Sequence, residues 1–392
     1  MFQRILQIRE LVKRKSAFLL GPRMTGKSTL IRQQLPDALT IDLLDPREFL
    51  TLTAHPDRLR ERVAAAPRAE SERYVVIDEI QKLPILLDEV HRLIELDKKL
   101  RFVLTGSSAR KLRRGDVNLL GGRARRAELM PLVSAEIGGG ASAVKRLARH
   151  GGLPAVLEST EPEEELRDYV GTYLKEEIVS EGLSRNLPAF ARFLETAAAS
   201  SGEQVQFSQI ASDAGVPART VRDHFQLLED TLLGTLLPPF RQTPSRKAVA
   251  AQKFYFFDLG IPQALLSRSA AAKGSTEYGS ALEHLVFNEL RAALSYKRAQ
   301  GTLSYWRTTS QFEVDFVIAF GSRPPIAIEV KATSNVTARD LKCLRAFADD
   351  QPHASRYVIC REPHPRDTED KIRVRPIADF LDKLWVDGFD TL

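Results

Sequence analysis

Gly21-Pro22-Arg23-Met24-Thr25-Gly26-Lys27-Ser28-Thr29 stands between the apolar run Ala17-Phe18-Leu19-Leu20 and Leu30-Ile31. The stretch fits G-x-x-x-x-G-K-[ST], and its surroundings read as strand, loop and helix, the context that gives the pattern a mechanism. The two glycines allow backbone dihedrals that a side chain forbids. Successive N–H groups then converge on one phosphate, aided by the positive end of the following helix. The spacing assigns Lys27 to the outer phosphates of ATP and the Ser28 hydroxyl to Mg²⁺. A chance glycine-rich turn is the competing reading.

Tyr74-Val75-Val76-Ile77-Asp78-Glu79 is an apolar run that ends in two carboxylates. Such a run reads as a strand buried on both faces of a parallel sheet, and ligands of such sheets sit beyond the carboxyl ends of the strands. Asp78 is expected to hold Mg²⁺ through water, and Glu79 to orient and deprotonate the attacking water. Phosphoryl transfer asks for positioning and charge neutralisation, so few groups suffice. A further strand, Arg101-Phe102-Val103-Leu104-Thr105, leads into Gly106-Ser107-Ser108. Thr105 and Ser107 are both candidates to hold the water or sense the terminal phosphate, and the sequence does not choose between them. Arg123 is a candidate for stabilising transition-state charge, in its own subunit or in a neighbour's. An exposed structural arginine is the alternative, since Arg125 and Arg126 lie beside it.

The chain has 392 residues, 43% hydrophobic and 28% charged, a soluble globular composition with length for two or three domains. Its formal charge of +6 is compatible with an anionic partner such as nucleic acid and does not demand one. Two cysteines, Cys343 and Cys360, make neither a zinc pattern nor a disulfide framework, so a reducing, cytoplasmic location is expected. Met1 to Arg9 reads as an amphipathic helix, with charges too frequent for a signal-peptide core. No run approaches the ~20 apolar residues that span a bilayer.

The expected fold is α/β in three parts. Residues 1–137 form a P-loop NTPase parallel sheet, with a hinge at Gly138-Gly139-Gly140. Residues 143–245 are helical. Here Phe207 to Pro217, with a glycine turn, and Ala218 to Leu228 make a helix-turn-helix, and Leu232 to Leu237 is a candidate wing strand. Arg219, Arg222 and Gln226 fall on its outer face, suited to phosphate or base contacts with double-stranded DNA; a packing module with solvated charges is the equal alternative. Residues 250–392 return to α/β. Strands are expected at Phe254–Asp258, Leu303–Trp306, Phe312–Ile318, Ile326–Val330 and Tyr357–Cys360, with helices over Leu282–Leu294 and from Ala338.

Within the last part, Glu329 and Lys331 share one side of a strand, because side chains alternate faces. Asp315 on the adjacent strand and Glu283 on the preceding helix can join them. Carboxylates so placed suit a second divalent metal, Mg²⁺ or Mn²⁺, and the lysine suits activation of a water. A cross-strand ion pair of Lys331 with Asp315 is the alternative. This order of helix Glu283, strand Asp315 and Glu329-x-Lys331 resembles the PD-(D/E)XK nuclease superfamily, which implies metal-binding and catalytic roles for these four residues.

The chain as a whole resembles a prokaryotic family with an N-terminal AAA-type ATPase domain and a C-terminal domain of unknown function carrying a nuclease-like core. Gly21 to Ser28, Ile77 to Lys82, Leu104 to Ser108, Leu120 to Arg123, Met130-Pro131-Leu132, Tyr255 to Gly260, Gly279 to Glu289 and the Asp315 to Lys331 block carry the resemblance. It implies ATP and Mg²⁺ as cofactors, a winged-helix middle and a restriction-endonuclease-like end. Three functions fit: an ATP-dependent enzyme or switch on DNA; a nucleotide-gated signalling scaffold with a silent nuclease fold and a protein partner; and an active nuclease regulated by its ATPase. Oligomerisation is compatible with all three, and no membrane contact is expected.

Overall fold

The computed structural model describes residues 2–66, 73–108, 120–174, 186–240, 251–268, 275–321 and 323–392. They fall into two compact units, one of residues 4–130 with 230–233, the other of 1–3, 131–229 and 234–392. The helical stretch and the last third share one unit.

In the first unit, β1 (Ser16–Leu20), β2 (Leu39–Asp42), β3 (Arg73–Asp78), β4 (Leu100–Gly106) and β5 (Ala124–Glu128) form one sheet in the order β2-β3-β4-β1-β5. Every pair in it is parallel. Side chains alternate across it. Phe18, Leu20, Val75, Ile77, Phe102 and Leu104 face a core completed by Leu52, Leu59, Leu86 and Val90. Ala17, Leu19, Val76 and Val103 face the opposite core of Ile8, Leu11, Leu30 and Ile31. This double burial explains the unbroken apolar runs of β1 and β3. The edge strands β2 and β5 carry no such run, and periodicity did not disclose them.

The amphipathic helix expected over Met1–Arg9 is corrected to α1, Ile8–Val12. Side-chain hydrogen bonds take over the backbone before it. Gln34 Oε1 accepts from Ile8 N (2.6 Å), and Gln34 Nε2 donates to Leu6 O (3.0 Å). Arg4, only 6% exposed, donates to the carbonyls of Thr25 and Met130.

In the second unit, helices Leu187–Ala199, Phe207–Ala214 and Ala218–Asp230 pack through aromatic rings. Phe193 meets Phe225 edge-on at 5.0 Å, and Phe225 meets Phe254 at 4.9 Å. Gly215 ends the middle helix at φ 65°, a left-handed cap for which glycine costs least. β6 (Gly234–Leu237) pairs antiparallel with β7 (Lys253–Phe256). The strand expected to open the last domain thus belongs with the helical part.

A six-stranded sheet follows in the order β12-β13-β11-β10-β9-β8. Its members are β8 (Thr302–Arg307), β9 (Glu313–Phe320), β10 (Arg323–Val330), β11 (Ser355–Cys360), β12 (Arg366–Asp367) and β13 (Ile372–Pro376). One face buries Val317, Ala327, Val358 and Val374 against Leu344 and Phe347. Phe287 of the long helix Thr276–Tyr296 stacks on Tyr255 at 4.1 Å. The helix expected from Ala338 starts at Lys342, and β12, β13 and the helix Ile377–Asp387 were not anticipated. No helix among the described residues is long and apolar enough to cross a membrane.

Glu289 of the long helix is 1% exposed and joins three segments of this unit. It accepts from Ser134 N (2.6 Å) and from the Trp385 indole N–H. Burial pushes its carboxyl up to about 7, against the opposing pull of those hydrogen bonds. A carboxyl whose folded pKa is raised gives stability that is full below its unfolded pKa of 4.5 and lost as pH rises through about 7. The melting temperature of this unit is expected to fall between pH 5 and pH 8, and the fall to shrink in Glu289→Gln. An equal slope in both proteins, read by thermal unfolding across pH, rejects Glu289 as its source.

Candidate functional site

The loop after β1 is built by close backbone approach. A Cβ on Gly21 would lie 2.5 Å from Leu129 O, so only glycine fits without moving the backbone of the next segment. Gly26 has φ 90° and starts α2 (Lys27–Gln34). Thr25, fully buried, donates its hydroxyl to Pro22 O (2.9 Å) and closes the loop on itself. Lys27 is 7% exposed, and its Nζ lies 2.7 Å from Gly21 O and 3.0 Å from Pro22 O. A cavity of about 280 Å³ opens here, lined by Arg23, Met24, Gly26, Lys27, Ser28, Thr29, Leu44 and Glu79.

Strand order brings the acidic residues to this loop. β4 lies between β1 and β3, with Leu19 opposite Thr105 and Ile77 opposite Leu104. The carboxyl ends of β1, β3 and β4 therefore meet. Ser28 Oγ donates to Asp78 Oδ2 (3.0 Å), and the Thr105 hydroxyl donates to Asp78 Oδ1. Thr105 Oγ1 also accepts from Glu79 N (3.1 Å). Of the two candidates at the end of β4, Thr105 lies directly against Asp78, and Ser107, just past the strand, meets Gln81.

Glu79 adopts φ 60° and ψ 43°, a left-handed conformation uncommon outside glycine. Residues held this way cost about 1–3 kcal/mol and concentrate at functional sites. The side chain of Gln81, absent from the sequence-derived site, supports the turn. Its Nε2 donates to Glu79 Oε2 (2.6 Å) and lies 3.4 Å from Ser107 Oγ. Its Oε1 is buried without a hydrogen-bond partner. The signal lay in Glu79-Ile80-Gln81, where two polar residues flank a buried isoleucine. Arg4, which braces the loop carbonyl of Thr25, had no sequence signal.

Arg123 is not brought to the loop. Ala124 pairs with Ser16, at the amino end of β1, whereas the loop follows Leu20 at the other end. At ~3.3 Å per residue the separation along the strand is roughly 16 Å. Arg123 pairs instead with Glu95, which Lys98 also contacts (2.8 Å).

Arg219, Arg222 and Gln226 are exposed on one side of the Ala218–Asp230 helix, and Arg222 lies over the Phe207 ring at 5.1 Å. Val221, Phe225 and Leu228 face inward.

The second predicted cluster is assembled in the other unit. Ile328 pairs with Phe316 in the antiparallel register of β9 and β10, which brings Glu329 and Asp315, one residue on from that pair, next to each other. Lys331 Nζ lies 2.6 Å from Glu329 Oε1, and Asp315 Oδ2 accepts from Val330 N (2.8 Å). In place of the Lys331–Asp315 ion pair weighed as the alternative, Lys331 pairs with Glu329, two residues before it. Glu283 accepts from the Tyr255 hydroxyl (2.5 Å) and from Lys253 Nζ (3.2 Å). Lys253 was not singled out from sequence. Its alternation with Tyr255 in Lys253-Phe254-Tyr255-Phe256 was the available signal. Burial first, then the charges of Glu329 and Glu283, hold the Asp315 carboxyl well above the usual range. Among the described residues no group of three or more His, Cys, Asp or Glu is arranged to hold a metal ion.

Comparisons with known proteins match three stretches of the chain. Residues 13–138 match the model of an AAA domain. Residues 142–272 and 278–380 match two domains of unknown function, DUF8612 and DUF4143. No curated protein matches the chain. Among solved structures, the Aeropyrum pernix Orc1 protein, determined in complex with DNA, matches at 14% identity and a TM-score of 0.30, over 64% of this chain and 86% of that one. A likeness at that level carries no functional argument. The first unit is thus an AAA-type P-loop domain with a five-stranded parallel sheet.

Proposed function

We propose that the chain is a Mg²⁺-dependent ATPase that acts on or responds to double-stranded DNA. One observation carries the ATPase reading: the Asp78 carboxylate is gripped by Ser28 of the phosphate loop on one side and Thr105 on the other. The residues present fit nucleotide and metal, since a carboxylate and a hydroxyl meet beside a glycine-built cradle that a Cβ would fill. ATP supplies the phosphoanhydride bond and Mg²⁺ the charge neutralisation that phosphoryl transfer requires.

The protein's own groups do the rest. Loop N–H groups and Lys27 bind phosphate oxygens. Ser28 and Asp78 would hold Mg²⁺. Glu79 orients the attacking water and takes its proton. Gln81 fixes the direction of the Glu79 carboxylate, and Thr105 fixes both Asp78 and the Glu79 backbone. Ser107 is the second candidate for the water. Any role for Arg123 is at the loop of a second copy.

DNA enters this reading through the Phe207–Asp230 helix pair with the β6–β7 ribbon, a winged-helix arrangement whose outer face carries Arg219 and Arg222. Phosphate release from Mg²⁺-ATP, with and without duplex DNA, is the test, with Lys27→Ala as the blank. Stimulation by duplex is the expected result. Affinity for duplex should fall steeply with salt, and Arg219→Ala with Arg222→Ala should flatten the log–log slope by roughly 2, at ~0.9 for each phosphate that an arginine neutralises. Turnover indifferent to DNA, together with a flat salt profile, rejects the DNA reading. It leaves a nucleotide-gated scaffold with a protein partner and a silent nuclease fold, a reading favoured by the buried ammonium of Lys253 among the nuclease-like carboxylates.

A further inference from the structure

The nuclease-like cluster holds a cation of its own. Lys253 is the first residue of β7, and its side chain is 3% exposed. Its Nζ lies 2.6 Å from Glu313 Oε1 and 3.2 Å from Glu283 Oε1. Glu283 also receives the hydroxyl of Tyr255, two residues on along the same face of β7. Burial opposes the ammonium charge, yet the carboxylates of Glu283, Asp315 and Glu313 outweigh it and raise its pKa. The group therefore stays charged.

A divalent ion does not fit this arrangement. Mg²⁺ needs near-octahedral oxygen ligands at about 2.0–2.1 Å and keeps several waters. Here each carboxylate is already engaged by protein donors. Glu283 Oε1 takes Lys253 and Tyr255, Glu329 Oε1 takes Lys331, and Asp315 Oδ2 takes Val330 N. Glu313 is shared between Lys253 and Arg307, which lies 2.7 Å from its other oxygen. Glu329 Oε2 is buried and unpartnered. Three protein cations, Lys253, Lys331 and Arg307, lie against Glu283, Glu313 and Glu329, and burial with the neighbouring charges holds the Asp315 carboxyl toward its neutral form, so little negative charge is left for a divalent ion.

We propose that the ammonium of Lys253 takes the place of a divalent metal in this cluster, so that the nuclease-like unit is neutralised from within and cleaves no phosphodiester by a metal-dependent route. The carboxylates and Lys253 then serve to fasten β7, and with it the helix-turn-helix, to the β9–β10 pair and the long helix of the same unit. The expected second metal site at Glu283, Asp315 and Glu329 is corrected accordingly. This inference is independent of the ATPase reading, which uses none of these residues.

Mn²⁺ binding to the full chain without nucleotide tests it, by calorimetry and by the electron paramagnetic resonance of free Mn²⁺. Asp78→Asn is included in every protein to silence the phosphate-loop site. No Mn²⁺ signal at this cluster is expected in the Asp78→Asn protein, so adding Asp315→Asn should change nothing. Adding Lys253→Met removes the internal cation, and Mn²⁺ affinity should rise at least tenfold, a gain that Asp315→Asn cancels. Mn²⁺ bound by the Asp78→Asn protein and lost on Asp315→Asn overturns the proposal. So does a folded Lys253→Met protein that gains no Mn²⁺. If Lys253→Met does not fold, as the loss of one partner from a buried ion cluster can cause, the first pair of proteins still decides the matter.

Discussion

Lys27→Ala is expected to weaken ATP binding by at least ~100-fold while leaving the fold intact. Lys27 is 7% exposed and points its ammonium at the Gly21 and Pro22 carbonyls at the loop mouth, the same space a phosphate oxygen would share. Hydrogen bonds to charged groups contribute about 1.5–3 kcal/mol each, so loss of one or two costs one to several powers of ten in affinity. The fold should survive, because Thr25, Gly21 and the Arg4 contact hold the loop without the lysine. Titration with a fluorescent ATP analogue checks the affinity, and thermal unfolding checks the fold. Binding within threefold of the original protein would remove Gly21–Thr29 from the nucleotide site.

Glu79→Gln should separate binding from hydrolysis. The substitution keeps the side-chain length and removes the proton acceptor. Loss of a positioned base typically costs 10²–10⁴ in rate, so turnover should drop by about that much at nearly unchanged ATP affinity. The surroundings of Glu79 make the experiment informative. Its backbone N–H is held by Thr105 Oγ1 and its left-handed turn is fixed by the segment that follows, so the new side chain starts from the same place. Gln81 Nε2, which donates to Glu79 Oε2, can still find the amide oxygen of the variant. Single-turnover measurement of phosphate release reads the chemical step directly. Normal turnover in Glu79→Gln would exclude Glu79 as the base and turn attention to a water held by Thr105 or Ser107.

The two sites differ in how far residue order exposes them. The nucleotide site is built from short contiguous pieces whose neighbours are dictated by strand polarity. Once Leu20, Asp78 and Gly106 end parallel strands of one sheet, their tips meet. The register that separates Arg123 from the loop was not readable, because Ala124–Glu128 carries polar side chains and gives no strand period. The carboxylate cluster shows the opposite case. Glu283, Asp315, Glu329 and Lys331 do converge, but the partner that decides their chemistry, Lys253, comes from a two-stranded ribbon whose pairing with β6 is a long-range event.

By itself the sequence determined the phosphate loop, the apolar strand ending in Asp78-Glu79, and the period-2 and period-3.6 stretches that make the elements of both units, because these depend on local dihedral freedom and on which side chains avoid water. Tertiary structure alone decided the rest. It chose Thr105 over Ser107 as the neighbour of Asp78, added Gln81 and Arg4 to the site, and drew Arg123 away from it. It also placed an ammonium where a metal was expected. Each of these rests on hydrogen bonds and ion pairs between residues far apart in the chain, whose energies depend on distance, register and burial that no local pattern encodes.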